Sequence, residues 1–284
     1  MSRDDDAVTN GPKAQLARHG LVAKRHFGQN FLADAHLAAR SAELCTTPPG
    51  GTVIELGAGL GALTRPLLER AARVIAVERD RDLVPALGSE LAGAIEQGRL
   101  SLVEADAKSV DLAALFGQGP RPRVLAGNLP YQISGPLLER AVEHGAMLDR
   151  VVFLLQLEVA DRLAAHPGDD AYGALSVFVQ ARFAPRRAFI VRRGAFYPQP
   201  RVDSAVVVLE PRGEAIAETP ALRALVHAAF GKRRKKLSNA WRGVLGVDVA
   251  ALARAAERAG IDLDARGETL DVAAFARMAE ELER

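Results

Sequence analysis

The sequence predicts an α/β protein, in which a parallel sheet with helices on both faces is followed by a small all-helical domain. Two observations lead to this fold class. Short apolar runs rich in β-branched residues alternate with helical patterns from residue 52 to about 210, and strands that are apolar throughout belong to sheets covered on both faces. From residue 212 onward only helical patterns follow, which indicates a separate domain.

Five apolar runs are predicted to be the parallel strands, and four segments between them are predicted to be helices. The strands are Thr52–Glu55, Arg73–Glu78, Leu100–Glu104, Val124–Ala126 and Val151–Leu155. The helices are Ala62–Ala71, Leu83–Glu96, Leu112–Phe116 and Pro136–His144. Two later runs, Ala188–Val191 and Ser204–Leu209, have no long helical segment between them. We therefore expect them to form a hairpin at the edge of the sheet.

The helices of the C-terminal region are predicted from the signals at their ends. Thr219 before Pro220 is a typical helix start, because threonine can cap the first N–H groups and proline has none. Asp248 can cap a helix over Val249–Ala259 that ends at Gly260, and a last helix is expected to begin near Asp271. We therefore expect two domains and a disordered N-terminus: residues 1–211, residues 212–284, and residues 1–11 within the first.

The composition excludes several classes of protein. A chain of 284 residues with 49% hydrophobic and 25% charged side chains is typical of a globular protein. Its apolar runs are far shorter than the ~20 residues of a membrane-spanning helix. The N-terminus is acidic, unlike a secretory leader. The single cysteine, Cys45, cannot form an internal disulfide, so we expect a cytoplasmic protein.

Three segments contain no acidic residue, although the rest of the chain is acidic. They are Ala7–Ala33, Ala171–Val202 and Thr219–Val247, and they hold 17 of the 37 lysines and arginines. Because a carboxylate would repel a polyanion, the pattern favours a surface that faces phosphates. The alternative is a chance distribution in an arginine-rich chain.

The first candidate site follows the first predicted strand. Three glycines lie there at alternate positions: Gly57, Gly59 and Gly61. Glycines let the backbone turn tightly and approach a ligand. Glu78 ends the second strand, where nucleotide-binding sheets place a carboxylate that accepts hydrogen bonds from ribose hydroxyls. Together they predict an adenosine-containing cofactor, although a purely structural turn is the alternative.

Two further details favour S-adenosylmethionine over a nicotinamide cofactor. The glycine spacing differs from the dinucleotide pattern, and Glu55 precedes the glycines on the strand. Asp106, just after the third strand, can accept a hydrogen bond from an adenine amino group. Its alternative role is to cap a turn.

The second candidate site is the Asn-Leu-Pro-Tyr sequence at residues 128–131, after the fourth strand. The exocyclic amine of adenine is a poor nucleophile, because its lone pair is delocalised into the ring. The Asn128 side-chain oxygen and the Leu129 carbonyl can accept its two N–H groups, so that the nitrogen can pyramidalise. Pro130 fixes the turn, and Tyr131 offers a face on which the base can stack. A turn with a buried tyrosine is the alternative.

With these residues the chain closely resembles the small-subunit (16S) ribosomal RNA adenine-N6,N6-dimethyltransferases, the kasugamycin-resistance methyltransferases. The matching stretches are residues 25–32, the glycine loop with Glu78 and Asp106, and residues 128–134, 156–163, 172–176, 196–205 and 230–237. Small departures are Ala58 where the family often has proline and Gln132 where it often has asparagine. Neither falls on a residue assigned to chemistry.

The resemblance implies a Rossmann-like S-adenosylmethionine-dependent methyltransferase sheet with an antiparallel edge strand, and a helical domain that binds RNA or the subunit. The residues that it implies in cofactor binding are Asn30, Leu32, Gly57, Gly59, Glu78, Asp106 and Asn128. In catalysis it implies the turn Asn128, Leu129, Pro130 and Tyr131, with Tyr131 and Phe196 on either side of the target adenine. The implied substrate is small-subunit rRNA within a pre-ribosomal particle, modified on two adjacent adenines of its 3′-terminal hairpin. A monomer without a metal ion is expected.

A run of five cations in the helical region is the predicted RNA contact: Lys232, Arg233, Arg234, Lys235 and Lys236. On a helix, the three lysines would share one face and the two arginines would point elsewhere. A solvated helix is the alternative.

Three other functions remain open on the sequence alone. A large-subunit rRNA methyltransferase of the antibiotic-resistance type shares the catalytic motifs, but the basic run favours the small subunit. A DNA adenine methyltransferase is disfavoured, because the sequence shows no separate DNA-recognition domain. A non-catalytic RNA-binding factor on the same fold is disfavoured by the intact Glu78, Asn128 and Tyr131.

Overall fold

A computed structural model describes residues 11–117, 119–231 and 235–284. The disorder predicted for residues 1–11 lies outside the described residues, except at Gly11. Gly11 is described, and it immediately precedes the first helix, Pro12–Arg18.

The chain divides into two compact units. One runs up to Ala160 and continues in Arg186–Pro211, and the other comprises Asp161–Pro185 and Arg212–Arg284. The boundary predicted from the sequence lies at the same place, after Pro211, but residues 161–185 were predicted to belong with the sheet. These residues pack with the C-terminal helices because Tyr172 belongs to their apolar core and its hydroxyl donates to the carbonyl of Leu270 at 3.0 Å.

A seven-stranded mixed sheet forms the centre of the first unit. Its strands are β2 (Thr52–Leu56), β3 (Arg73–Glu78), β4 (Leu100–Glu104), β5 (Arg123–Asn128), β6 (Arg150–Gln156), β7 (Phe183–Val191) and β9 (Ser204–Pro211). Their order across the sheet is β4-β3-β2-β5-β6-β9-β7. The five strands from β2 to β6 are parallel, and β9 is antiparallel to β6. The predicted α/β class with an antiparallel strand near the edge is thereby confirmed. The two last strands are neighbours at that edge, as predicted.

Two short strands form a separate ribbon beside this sheet. They are β1 (Phe31–Leu32) and β8 (Phe196–Tyr197), paired antiparallel. Neither strand was predicted from the sequence, because two residues carry no periodic pattern.

The helices of the first unit follow the predicted alternation. They are α1 (Pro12–Arg18), α2 (Ala35–Cys45), α3 (Thr64–Leu68), α4 (Leu83–Glu90), α5 (Ala92–Glu96), α6 (Leu112–Phe116) and α7 (Ser134–Glu143). The predicted single helix 83–96 is two helices, because the backbone leaves the helical region at Leu91 (φ −117°, ψ 21°). Helices α1 and α2 were not predicted, and neither was α8 (Leu157–Ala164).

The second unit is helical, with α9 (Ala174–Arg182), α10 (Pro220–Gly231), α11 (Leu237–Ala240), α12 (Val249–Ala259) and α13 (Val272–Glu283). The predicted caps are present. The Thr219 hydroxyl accepts the N–H of Leu222, the Asp248 carboxylate accepts the N–H of Ala251, and Gly260 is left-handed (φ 67°). Trp241, Phe275 and Met278 are fully buried in its core. Among the described residues, no helix has the length and apolarity needed to cross a membrane.

Candidate functional site

A cavity opens at the carboxyl ends of the parallel strands β2 to β5, with an empty volume of about 1140 Å³ that includes its open mouth. The carboxyl ends of parallel strands share one edge of a sheet, which is where ligands of such folds bind. All seven residues predicted to hold the cofactor line this cavity: Asn30, Leu32, Gly57, Gly59, Glu78, Asp106 and Asn128. Leu129, Pro130 and Tyr131 line it as well.

The glycine loop after β2 is held in a left-handed conformation. Gly59 has φ 56°, and a β-carbon there would lie 3.2 Å from the ring of Phe31. The N–H groups of Gly57 and Ala58 both donate to the carbonyl of Val77 on β3. The loop is therefore fixed to the neighbouring strand, and its backbone can approach a ligand closely.

Glu78 fixes the same loop from the end of β3. One carboxylate oxygen accepts the N–H of Gly59 and the other accepts the N–H of Asp80, both at 2.8 Å. Burial raises the pKa of this carboxyl, while the backbone N–H groups act in the opposite direction. Each oxygen has a second lone pair. Glu78 can therefore anchor the loop and still accept hydroxyl groups from a ligand.

Glu55 lies on β2 just before the loop, and it also lines the cavity. It is almost fully buried, and the Thr64 hydroxyl donates to it at 2.6 Å. Burial, with a smaller contribution from Glu78, raises the pKa of Glu55 to about 8. Glu55 is therefore mostly protonated at neutral pH.

Asp106 lines the cavity just after β4, the strand that pairs with β3. One of its oxygens accepts the N–H of Lys108 at 2.9 Å, and the other is 3.6 Å from the Arg79 guanidinium. The Arg79 guanidinium lies over the ring of Phe27, 4.6 Å from its centroid. Asp106 can thus accept a further hydrogen bond.

The segment 24–30 is tied to the turn after β3 by polar contacts. The Lys24 ammonium is 2.5 Å from Asp80 and 2.6 Å from Asp82, and the Gln29 amide donates to Asp80 at 2.7 Å. Although burial alone would raise it, the bond to Lys24 and the other donors hold the pKa of Asp80 below its ordinary value. These contacts were not predicted from the sequence, because their partners lie more than fifty residues apart and share no local pattern.

The side-chain amide of Asn128 is oriented by this segment. Its nitrogen donates to the backbone carbonyl of Asn30 at 3.0 Å. A carbonyl can only accept, so the NH₂ group must face Asn30 and the amide oxygen must point away from it. The N–H of Leu129 donates to the carbonyl of Leu154 on β6, which fixes the neighbouring peptide group.

The Tyr131 side chain is held by a contact with the first residue of β9. Its hydroxyl is 2.8 Å from that of Ser204, which is fully buried at the start of β9. Burial raises the pKa of Tyr131. Ser204 lies within one of the stretches that match the family, residues 196–205, but no role was predicted for it from the sequence.

The structure does not bring Phe196 to the cavity with the other site residues. Its side chain is 5% exposed and belongs to the apolar core with Leu32 and Leu154. It is paired with Leu32 across the β1–β8 ribbon. The position of Phe196 opposite Tyr131 therefore remains a prediction.

The predicted RNA-binding run is described only at its end. Lys232, Arg233 and Arg234 lie outside the described residues. Lys235 and Lys236 are exposed. Neither is helical: α10 ends at Gly231, and α11 begins at Leu237. The prediction that these two lysines share a helical face is therefore wrong. Lys236 has an extended backbone and bridges to Arg266, and its ammonium lies 3.0 Å from Asp264.

The family model of ribosomal RNA adenine dimethylase matches residues 20–284. The chain belongs to this family. The resemblance stated from the sequence is thereby confirmed, and the chain is an rRNA adenine dimethyltransferase.

Individual relatives and structures agree with this assignment. The ribosomal RNA small subunit methyltransferase A of Anaeromyxobacter sp. (strain K) is 45% identical over 278 residues, which cover 94% of this chain and 96% of that protein. The protein of the same name from Magnetococcus marinus is 44% identical and covers 94% of each chain. The fold is that of a dimethyladenosine transferase from Plasmodium falciparum (TM-score 0.76, 23% identity, 89% of this chain and 97% of that one). It is also that of the 23S rRNA methyltransferase ErmE (TM-score 0.66, 26% identity, 90% and 100%).

Proposed function

We propose that this chain uses S-adenosylmethionine to dimethylate N6 of two adjacent adenines in the 3′-terminal hairpin of small-subunit rRNA, within a pre-ribosomal particle. The observation that carries the proposal is the meeting, in one cavity, of the glycine loop with Glu78 and the turn from Asn128 to Tyr131. The long match to relatives named for the small subunit supports this choice of substrate. The single buried cysteine supports a cytoplasmic location, and a monomeric state remains a prediction.

The residues of the cavity fit S-adenosylmethionine. Gly57 and Gly59 bring backbone without side chains to the cavity wall, and Glu78 has lone pairs for two ribose hydroxyls. Asp106 would accept the adenine amino group of the cofactor. When bound, the cofactor supplies an electrophilic methyl group.

The chain's own residues position the nucleophile. The Asn128 side-chain oxygen and the Leu129 carbonyl accept the N–H groups of the target amine. The nitrogen can then pyramidalise, and its lone pair is no longer delocalised into the ring. Tyr131 stacks on the base, at ~1–3 kcal/mol per base, which offsets the few kcal/mol needed to unstack it from RNA. The methylated nitrogen becomes acidic, and water can take its proton. The main demand is therefore alignment rather than acid–base catalysis.

Phe196 is proposed as a second stacking face. In this structure it is part of the core, so this role requires its ring to turn towards the cavity. Tyr131 is the ring already in place. The variant Phe196→Leu keeps most of the packing volume and removes the aromatic face. If Phe196 stacks on the target base, this variant should lower the rate of methyl transfer and leave the affinity for the cofactor unchanged.

The cofactor assignment is tested at Glu78. Glu78→Ala should weaken binding of S-adenosylmethionine by ~2–3 kcal/mol, because charge-assisted hydrogen bonds are lost. Isothermal titration calorimetry measures this change. A wild-type affinity in the variant would remove Glu78 from the site.

The substrate is tested by transfer of a labelled methyl group. Unmethylated small subunits, large subunits and DNA are incubated in parallel, and the modified nucleoside is identified. Dimethyladenosine in small-subunit rRNA is expected. Label in large-subunit rRNA would instead favour the second candidate, a function like that of ErmE, which the likeness in fold keeps open. Cofactor binding without transfer would indicate a non-catalytic factor.

A further inference from the structure

The loop between β7 and β9 carries a concentration of positive charge. Arg192, Arg193 and Arg201 are exposed, and the side chain of Arg192 is 79% accessible to solvent. The sequence has no acidic residue from Ala171 to Val202. The first carboxylate after this segment is Asp203, at the end of the loop. The loop is thus able to attract an anion.

Asp203 holds the two adjacent arginines in place. One of its oxygens accepts the Arg192 guanidinium at 2.7 Å, and the other accepts the backbone N–H of Arg193 at 2.9 Å. The backbone N–H of Arg193 and the side chain of Arg192 lower the pKa of Asp203, so the carboxylate remains ionised. Its own carbonyl accepts the N–H of Leu157, just after β6. The start of the loop is therefore fixed at the carboxyl end of the parallel strand β6.

This position borders the turn from Asn128 to Tyr131, which is called the base-binding turn below. Asp203 is followed directly by Ser204, whose hydroxyl is 2.8 Å from that of Tyr131. On the other side, the carbonyl of Ala195 accepts the N–H of Ala33 at 2.7 Å, next to the cavity-lining Leu32. Contacts at both sides thus hold the loop next to the cavity.

We propose that Arg192 and Arg193 bind the phosphates that flank the target adenine in a single-stranded RNA segment, an inference that rests on the proposed function. A base stacked on Tyr131 has a phosphate on each side along its strand. An arginine has five N–H donors in a planar fork that matches a phosphate. Arg192 uses part of its fork for Asp203, and the link from Arg193 to Asp203 uses only the backbone. Both guanidinium groups therefore keep donors for the RNA.

The test replaces both arginines by glutamine. The double variant should bind unmethylated small subunits more weakly, with a log-affinity against log-salt slope flatter by ~0.7–0.9 for each phosphate that is no longer bound. Its KM for small subunits should rise roughly fivefold, as expected for exposed ion pairs. The kcat and the affinity for S-adenosylmethionine should stay unchanged, because neither arginine lines the cavity.

Arg121→Gln is the matched control. Asp149 accepts the Arg121 guanidinium at 2.5 Å and the backbone N–H of Arg123 at 2.7 Å, which is the same arrangement as at Asp203. Arg121 lies just before β5 and Asp149 just before β6, at the amino ends of the strands and away from the cavity. Arg121→Gln should therefore keep the wild-type salt slope and KM. A change in the control as large as that in Arg193→Gln, which removes the same single charge, would overturn the inference, because the effect would then be one of total charge.

The single variant Arg193→Gln keeps the test decisive if the change at Arg192 disturbs the loop, since its tether to Asp203 remains. A wild-type KM and salt slope in this variant and in the double variant would overturn the inference, provided that the wild-type chain methylates small subunits. Failure of the wild-type chain to methylate them would overturn the proposed function instead.

Discussion

At the scale of single residues, the two chemical groups of the base-binding turn are each oriented by a partner distant in sequence. Asn30 turns the amide of Asn128, and Ser204 holds the hydroxyl of Tyr131. These contacts restrict the amide and the ring before any substrate arrives. Preorganisation of this kind matters in a reaction that depends on alignment, because small displacements of the reacting atoms slow it.

The contact between Ser204 and Tyr131 is testable by a double-mutant cycle. Ser204→Ala and Tyr131→Phe should each lower methyl transfer roughly twofold to tenfold, the value of a hydrogen bond of ~0.5–1.5 kcal/mol. The double variant should be no slower than the slower single variant, because both changes remove the same bond. Cofactor affinity should not change. Ser176→Ala removes an equally buried hydroxyl in the other unit and serves as the control. Independent, multiplying effects in the cycle would contradict the positioning role.

Glu55 predicts a pH dependence of stability. Its pKa is about 8 in the folded chain against an ordinary 4.5. A raised pKa stabilises the fold fully below pH 4.5, and this stabilisation is lost as the pH rises through 8. The free energy of unfolding of the wild-type chain should therefore fall relative to Glu55→Gln between these values, by up to about 1.4 kcal/mol per pH unit.

Urea denaturation without cofactor, repeated across this pH range, measures the difference. Glu96→Gln changes an exposed carboxyl and controls for the general effect of removing a charge. Parallel curves for the wild-type chain and Glu55→Gln would show that Glu55 is ionised in the folded state.

At the scale of elements, the segment 24–30 links the cofactor side of the cavity to the base side. Lys24 and Gln29 bind Asp80, which follows Glu78 by two residues, and Asn30 orients Asn128. Order in this segment therefore affects both ligands. Phe27, which also lines the cavity, is packed under the Arg79 guanidinium.

Lys24→Met tests this link. Loss of the ammonium removes two ion pairs, to Asp80 and Asp82, so the segment should become more mobile and the affinity for S-adenosylmethionine should fall roughly fivefold. Hydrogen exchange should increase in residues 24–30, and the thermal midpoint should fall, because the buried Asp80 carboxylate loses its cation. Lys13→Met, at an exposed position on α1, is the control. Unchanged exchange and affinity would show that the other hydrogen bonds suffice to hold the segment.

At the scale of the whole molecule, the features predicted from the sequence are those with local causes. The strands β3 and β4 and the helices α6 and α12 have the predicted bounds, because apolar runs and caps act within a few residues. Every residue expected to hold the cofactor lines the cavity. Gly57, Glu78 and Asn128 do so because parallel strands bring their carboxyl ends together, whereas Asn30 and Leu32 were expected only from the family resemblance. Contacts between distant residues were missed. Examples are Lys24 with Asp80, Tyr131 with Ser204, and Tyr172 with Leu270, which places residues 161–185 in the helical unit.

The distribution of charge over the two units supports a last prediction. Lys235 and Lys236 lie in the acid-free segment 219–247 of the helical unit and are exposed, although the Lys236 ammonium lies 3.0 Å from Asp264. An exposed ion pair of this kind contributes little free energy, so the Lys236 ammonium can leave Asp264 and bind a phosphate instead. Replacing Lys232, Lys235 and Lys236 by glutamine should therefore weaken binding to small subunits and flatten the salt slope by ~0.7–0.9 for each phosphate that the variant no longer binds.

The affinity for S-adenosylmethionine should stay the same in this triple variant, because all the residues that line the cavity belong to the other unit. Combining the triple variant with Arg192→Gln and Arg193→Gln separates the two basic surfaces. If both bind phosphates of one RNA, the changes in salt slope should add, since each bound phosphate releases its own counterions. A triple variant with the wild-type slope would show that the lysines are only surface charges. Arg192 and Arg193 would then remain as the candidate phosphate-binding residues.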